Sequence, residues 1–270
     1  MQVTKTNGEL KMSHYTVLVI GDNVDKKLAP FHEFECTGLN DEFVQDIDIT
    51  DQYKTRQEVE DDGIKIVYDE KDIDRAGSHK YGYAVISGSS VVKAVRRTNP
   101  NKKWDWYVIG GRWTGLLQLK KGAKGMIGEP GILSSRRAEE GTADRAKTKD
   151  IDWESMRKGT DELKEYYSQR WDACMGLIKA DFSKFGILYK KEWMLARYGT
   201  KEEYIRRECE FKTYAVITED GKWNAPGEMG WFGFSSEEHA ADKLWDEMFF
   251  DHFIKNLDPE TMITIVDCHI

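Results

Sequence analysis

Ten residues, Trp104-Asp105-Trp106-Tyr107-Val108-Ile109-Gly110-Gly111-Arg112-Trp113, hold three tryptophans, a tyrosine and a glycine pair. Rings of this size dominate the energetics of whatever surface they meet, so a fold must either pack them or stack something on them. From Trp104 to Ile109 the run reads as a strand, with Trp104 and Trp106 on one face and Asp105 and Tyr107 on the other. Gly110-Gly111 then permits a tight turn or a close backbone approach. Lys102 and Lys103 precede the rings and Arg112 sits among them. Two uses fit this composition: the edge of a core, or a stacking site for a flat anionic ligand.

The rest of the chain predicts alternating β and helical regions. His14 to Ile20 is β-branched and aromatic, and Gly21-Asp22-Asn23 stops it. Residues 24–34 form a short helix interrupted at Pro30, and the acidic stretch 40–63 reads mostly as loop. Tyr83-Ala84-Val85-Ile86, a Ser-Gly-Ser-Ser turn and Val91 to Val95 read as a hairpin. Residues 134–210 read as mostly helical, with Thr160 opening one helix and Thr200 to Glu203 capping another. Phe211–Thr218 and Gly230–Phe234 read as strands, Ser235 to Glu238 caps a long amphipathic helix, and Met262–Ile270 is a closing strand.

These elements predict an α+β fold, a largely antiparallel sheet with helices packed on one side. Residues 1–12 read as a disordered extension, and residues 13–270 as a single domain with a helical insertion at about 134–210. Tyr-Ala-Val-Ile occurs at 83–86 and again at 214–217, each followed later by a glycine–aromatic cluster. An internal duplication of a β-hairpin unit is one explanation. The other is that any half-buried strand converges on such residues.

Net charge is −8, which argues against non-specific nucleic-acid binding by the surface as a whole. That average hides an asymmetry: residues 41–74 sum to −9 and residues 93–124 to +8. Four scattered cysteines, with no Cys-x-x-Cys pair, give no support to a zinc ribbon and point to a reducing cytosol. No apolar run reaches the roughly 18 residues of a membrane span. The polar start lacks the apolar stretch of a signal peptide.

Several segments taken together resemble a family of uncharacterised phage and mobile-element proteins. They are Trp104-Asp105-Trp106-Tyr107 with Ile109-Gly110-Gly111-Arg112-Trp113, Gly227-Glu228-Met229-Gly230-Trp231-Phe232-Gly233, and the terminal Val266-Asp267-Cys268-His269-Ile270. Ser13-His14-Tyr15 and Asp150-Ile151-Asp152-Trp153-Glu154 fit the same pattern, so the resemblance runs from about Met12 to Ile270. It implies a viral or prophage origin and action in the cytoplasm of a bacterial host. By analogy it implies an accessory role such as countering host defence, and it carries no catalytic residue to transfer.

The leading functional expectation is therefore a non-enzymatic protein that binds a small anionic aromatic ligand, a nucleotide or nucleotide-derived signal. Its pocket would use Lys102, Lys103, Trp104, Trp106, Arg112, Trp113 and Trp231. An alternative is a hydrolase or phosphodiesterase. If the first and last strands pair, His14, Asp267 and His269 converge, and a histidine beside a carboxylate suits acid–base work. Histidines on strands also serve as hydrogen-bonded structural residues. A third expectation is an inhibitor that docks on a host protein through the acidic 41–74 surface. No motif identifies a metal site or a cofactor, and none fixes the oligomeric state.

Overall fold

The computed structural model describes residues 14–33, 41–130, 137–186, 188–227 and 239–270. In chain order the strands are β1 (His14–Ile20), β2 (Gln45–Asp48), β3 (Ile66–Val67), β4 (Gly82–Ser87), β5 (Ser90–Thr98), β6 (Trp106–Gly111), β7 (Leu117–Gln118), β8 (Glu129–Pro130), β9 (Thr142–Ala143), β10 (Arg145–Lys147), β11 (Ala215–Ile217), β12 (Trp223–Asn224) and β13 (Met262–His269). The helices are α1 (Val24–Leu28), α2 (Arg56–Asp61), α3 (Trp153–Lys158), α4 (Asp161–Cys174), α5 (Phe182–Phe185), α6 (Lys191–Tyr198), α7 (Lys201–Cys209) and α8 (His239–Phe253). The protein is α+β, with mixed sheets in which antiparallel pairing predominates. The chain divides into two compact units, one formed by residues 28–106 and the other by residues 1–27 with 107–270.

The larger unit is built on a sheet of order β12-β11-β1-β13-β6-β8, with β10 also pairing to β13. The first and last of these strands run antiparallel in register, from His14 opposite His269 to Ile20 opposite Ile263. On the other side β1 pairs in parallel with β11. Because side chains alternate, one face of the β1–β13 pair carries His14, Thr16, Leu18 and Ile20 opposite His269, Asp267, Ile265 and Ile263. Its apolar half is core: Leu18, Ile20, Ile263 and Ile265 are buried with Met156 of α3 and with Phe249 and Phe253 of α8. Its polar half is the site described below.

Helices α4, α6 and α7 pack a second core around Trp171, Met194, Tyr198 and Tyr204. The side chains of Thr160 and Thr200 cap α4 and α7 by accepting from the amides of Leu163 and Glu203, as their spacing predicts. Asp152 caps α3 in the same way. A buried ion pair adds to this packing: Arg207 Nε of α7 donates to Asp246 Oδ2 of α8 at 2.5 Å, and Lys212 Nζ lies 3.1 Å from Asp246 Oδ1.

The smaller unit is a sheet of order β2-β5-β4-β3. Its β4–β5 hairpin turns at Gly88, whose φ of 61° suits glycine. One face packs Ala84, Ile86 and Ala94 against Val59 of α2, and the other packs Tyr83, Val85 and Val95 with Val67. The strongly acidic stretch is more ordered than its lack of periodicity predicts. A capping box between Thr55 and Glu58 starts α2, and Asp46 of β2 accepts from Arg97 at 2.8 Å and Arg75 at 2.7 Å.

Some expectations need adjustment. Where helix is expected from about 134, the described residues first form the short strands β9 and β10, and helix begins at Trp153. The buried carboxylate of Asp144 explains this, because it organises backbone amides from two other segments (below). The two Tyr-Ala-Val-Ile segments pair differently: β4 lies in an antiparallel hairpin, whereas β11 runs parallel to β1. A duplication is not confirmed. The 1–12 extension and the strand and cap expected at 230–238 lie outside the described residues.

Asp246→Ala removes a buried carboxylate that meets both Lys212 and Arg207, whose side chain is fully buried. Breaking a buried ion pair by removing one partner costs about 3–5 kcal/mol. Urea denaturation should show that loss as a lower midpoint with an unchanged slope.

Candidate functional site

The sequence places two aspartates where polar groups are rarely left alone, and the structure shows what they hold. Asp144 and Asp267 are both fully buried. Asp144 Oδ1 accepts from the amide of Gly115 at 2.6 Å, and its Oδ2 accepts from the Thr114 hydroxyl at 3.0 Å and the Gly128 amide at 2.8 Å. Asp267 Oδ2 accepts from the amide of Arg112 at 2.8 Å, while its Oδ1 accepts from His14 Nδ1 at 2.7 Å. Two carboxylates thus grip the Gly110–Gly115 loop.

The glycine pair is what makes this possible. Gly110 and Gly111 have φ of 82° and 55°, a region that favours glycine. A Cβ built on Gly110 would overlap the Asp144 carboxylate, and one on Gly111 would overlap Asp267. The close backbone approach expected of these glycines is therefore an approach to buried aspartates.

Strand pairing brings His14, Asp267 and His269 onto one face, with the two imidazole rings edge to face at 4.9 Å. The His14 side chain is only 6% exposed, and Asp267 is not exposed at all. Burial pushes the His14 imidazole below its ordinary value of 6.5. The hydrogen bond and charge of Asp267 oppose that shift, while the charges of Arg112 and His269 add to it. A neutral ring that donates from Nδ1 to Asp267 keeps the lone pair on Nε2, the form that accepts a proton. Arg112, half-buried, completes the group.

A cavity of about 390 Å3 is lined by chain neighbours of this cluster, although His14, Arg112, Asp267 and His269 are not themselves among its wall residues. Thr16, opposite Asp267 and two residues from His14, lines it, and so does Trp113, the neighbour of Arg112. Tyr167, Glu208 and Lys212 add polar groups to its wall. The volume falls in the usual range for small-molecule sites. Among the described residues no group of three or more His, Cys, Asp or Glu side chains is arranged to hold a metal ion. No described helix is long and apolar enough to cross a membrane.

The other sequence-selected residues take separate places. Lys102, Lys103, Trp104 and Trp106 belong to the smaller unit, whereas Arg112 and Trp113 belong to the larger. Trp104 is buried, stacks on His32 at 4.1 Å and donates from Nε1 to the Leu28 carbonyl at 3.1 Å. Lys102 pairs with Glu33, and the Lys103 amide donates to the Phe31 carbonyl at 2.7 Å. Residues 102–104 thus strap the 28–33 segment, and Trp106 is half-buried. Trp113 packs against the main core while lining the cavity. Trp231 lies outside the described residues. Sequence reasoning missed Asp144. Its only signal is an acid between two alanines that turn out to be buried, Ala143 and Ala146.

No family model, curated protein or solved structure matches this chain.

Two outcomes follow from this geometry. Gly111→Ala forces a Cβ into Asp267 at a left-handed φ, and thermal melting should show a loss of more than about 1 kcal/mol. The pH dependence has a definite sign. His14 takes up a proton more readily when unfolded than when folded, so its contribution is complete above pH 6.5. It is lost as pH falls through the lower folded value. Denaturation midpoints should decline on acidification below 6.5, at no more than about 1.4 kcal/mol per pH unit from this group. His14→Gln should flatten that decline.

Proposed function

We propose that this protein binds a small anionic ligand bearing an aromatic ring, of the nucleotide or nucleotide-derived class, in the cavity beside Trp113. The Trp113 ring supplies a flat wall, and Arg112, its chain neighbour rather than a wall residue, supplies the cation for the anionic group at the cavity's edge. One observation carries this reading. The buried carboxylate of Asp267 holds both the Arg112 backbone and the His14 ring, so two groups chosen separately from the sequence form one preorganised cluster. Glu208, also on the cavity wall, offers a carboxylate to the N–H or O–H donors of a base or sugar. The resemblance to phage and mobile-element proteins supports a setting in the cytoplasm of a bacterial host, with a role in countering host defence.

The 2.7 Å contact between His14 Nδ1 and Asp267 favours a second reading in which the same cluster hydrolyses a phosphoester. A neutral His14 oriented by a carboxylate is suited to accept a proton from water, with His269 beside it.

Calorimetric titration of the protein with a panel of nucleotides tests both readings. A member of the panel should bind, and Arg112→Ala should weaken it at least about tenfold, the scale of one charge-assisted hydrogen bond. An unchanged affinity in that variant, or no heat from any nucleotide, overturns the binding proposal. Turnover of the bound nucleotide that disappears in His14→Ala would establish the hydrolase reading, and intact nucleotide after prolonged incubation would remove it.

A further inference from the structure

The smaller unit holds a cavity of about 260 Å3 that the site above does not involve. Its wall includes Lys65, Ser78, Tyr81 and Arg96, together with Asp62, Gly63 and Ile64. These residues come from the loop before β3, the loop before β4 and the middle of β5, and the sheet brings them together. Lys65 belongs to the stretch of sequence that sums to −9, where a cation would be expected to find a carboxylate. Neither Lys65 nor Arg96 makes an ion pair among the described residues, and both are exposed. The neighbour of Arg96 is the hydroxyl of Tyr53. The acid on the wall is already engaged, since the Tyr53 hydroxyl donates to Asp62 Oδ2 at 2.7 Å.

The other wall is aromatic. Tyr81 is 54% exposed, and the Lys80 ammonium lies 4.8 Å from its ring centre. Tyr53 and Tyr83 of the same unit are buried, whereas Tyr81, like Tyr68, presents its ring to solvent. Backbone geometry fixes the chain immediately after Tyr81. Gly82, with a φ of 135°, lies so close to the Val95 carbonyl that a Cβ would overlap it. The Ser78 hydroxyl lies 3.0 Å from His79 Nδ1, which also accepts from the Asp74 amide at 3.0 Å. That nitrogen therefore carries a lone pair, so the serine hydroxyl donates to it and its oxygen keeps lone pairs for a ligand hydroxyl.

We propose that this cavity is a second ligand site, one that takes a small phosphomonoester carried on a planar ring. Lys65 and Arg96 hold the phosphate, whose double charge suits two cations, and Tyr81 stacks the ring. The site is independent of Arg112 and of the ligand proposed for the larger unit.

Phenyl phosphate and inorganic phosphate are the probes, titrated into the full chain by calorimetry or by shifts of amide resonances. Phenyl phosphate should bind, with perturbations at Lys65, Tyr81 and Arg96. The double variant K65A/R96A should weaken both probes at least about tenfold. Tyr81→Ala should weaken phenyl phosphate and leave inorganic phosphate unchanged. Arg112→Ala should leave the perturbations at Lys65, Tyr81 and Arg96 in place, whatever it does to resonances of the larger unit, which separates this site from the other. Absence of phenyl phosphate binding at millimolar concentration overturns the proposal. So does unchanged affinity in K65A/R96A, or in Lys65→Met should the double variant melt early.

Discussion

The carboxylate of Asp267 is the contact on which the architecture of the larger unit turns. It sits on β13, reaches across to the imidazole of β1 and accepts the backbone amide of the loop after β6. Strand register, loop conformation and the orientation of His14 are thus fixed by one buried charge. A charge taken out of water is costly unless its lone pairs are met, so each partner stabilises the position of the others. Asp144 repeats the device on the other side of the same loop with three donors. The glycine pair between them has no side chain because two carboxylates occupy the space.

Much of this was legible in the sequence, and the parts that were not share a physical reason. Strands β1 and β13 announced themselves through β-branched runs, and the convergence of His14, Asp267 and His269 follows once those runs pair. Helices α4 and α7 were marked by their capping threonines. Asp144 was invisible, because a buried acid and a surface acid look alike until the donors are known, and those donors lie 16 to 30 residues away. Trp104 was ambiguous for the same reason. Its use as packing is decided by Leu28 and His32, which the local pattern does not name.

The electrostatic asymmetry also resolves into local terms. Part of the acidic stretch is neutralised within its own unit, where Asp46 meets Arg75 and Arg97. A net charge of −8 describes how the molecule behaves at a distance. It says little about a cavity whose walls are set by three or four side chains. In the larger unit such a cavity lies between an apolar core and a polar cluster on the same strand face, so the surface that builds the fold also delivers the site.

The position of β1 has a consequence for how the chain comes to be folded. Its antiparallel neighbour lies some 253 residues later and its parallel neighbour about 198 residues later. At a synthesis rate of about 5–20 residues per second, the Tyr-Thr-Val-Leu-Val-Ile segment spends roughly 10–50 s outside the ribosome with no strand to join. The hairpin unit at 28–106 has all its partners early and is free to fold meanwhile. A sticky strand that waits this long invites capture by chaperones, and its sheet closes last of all.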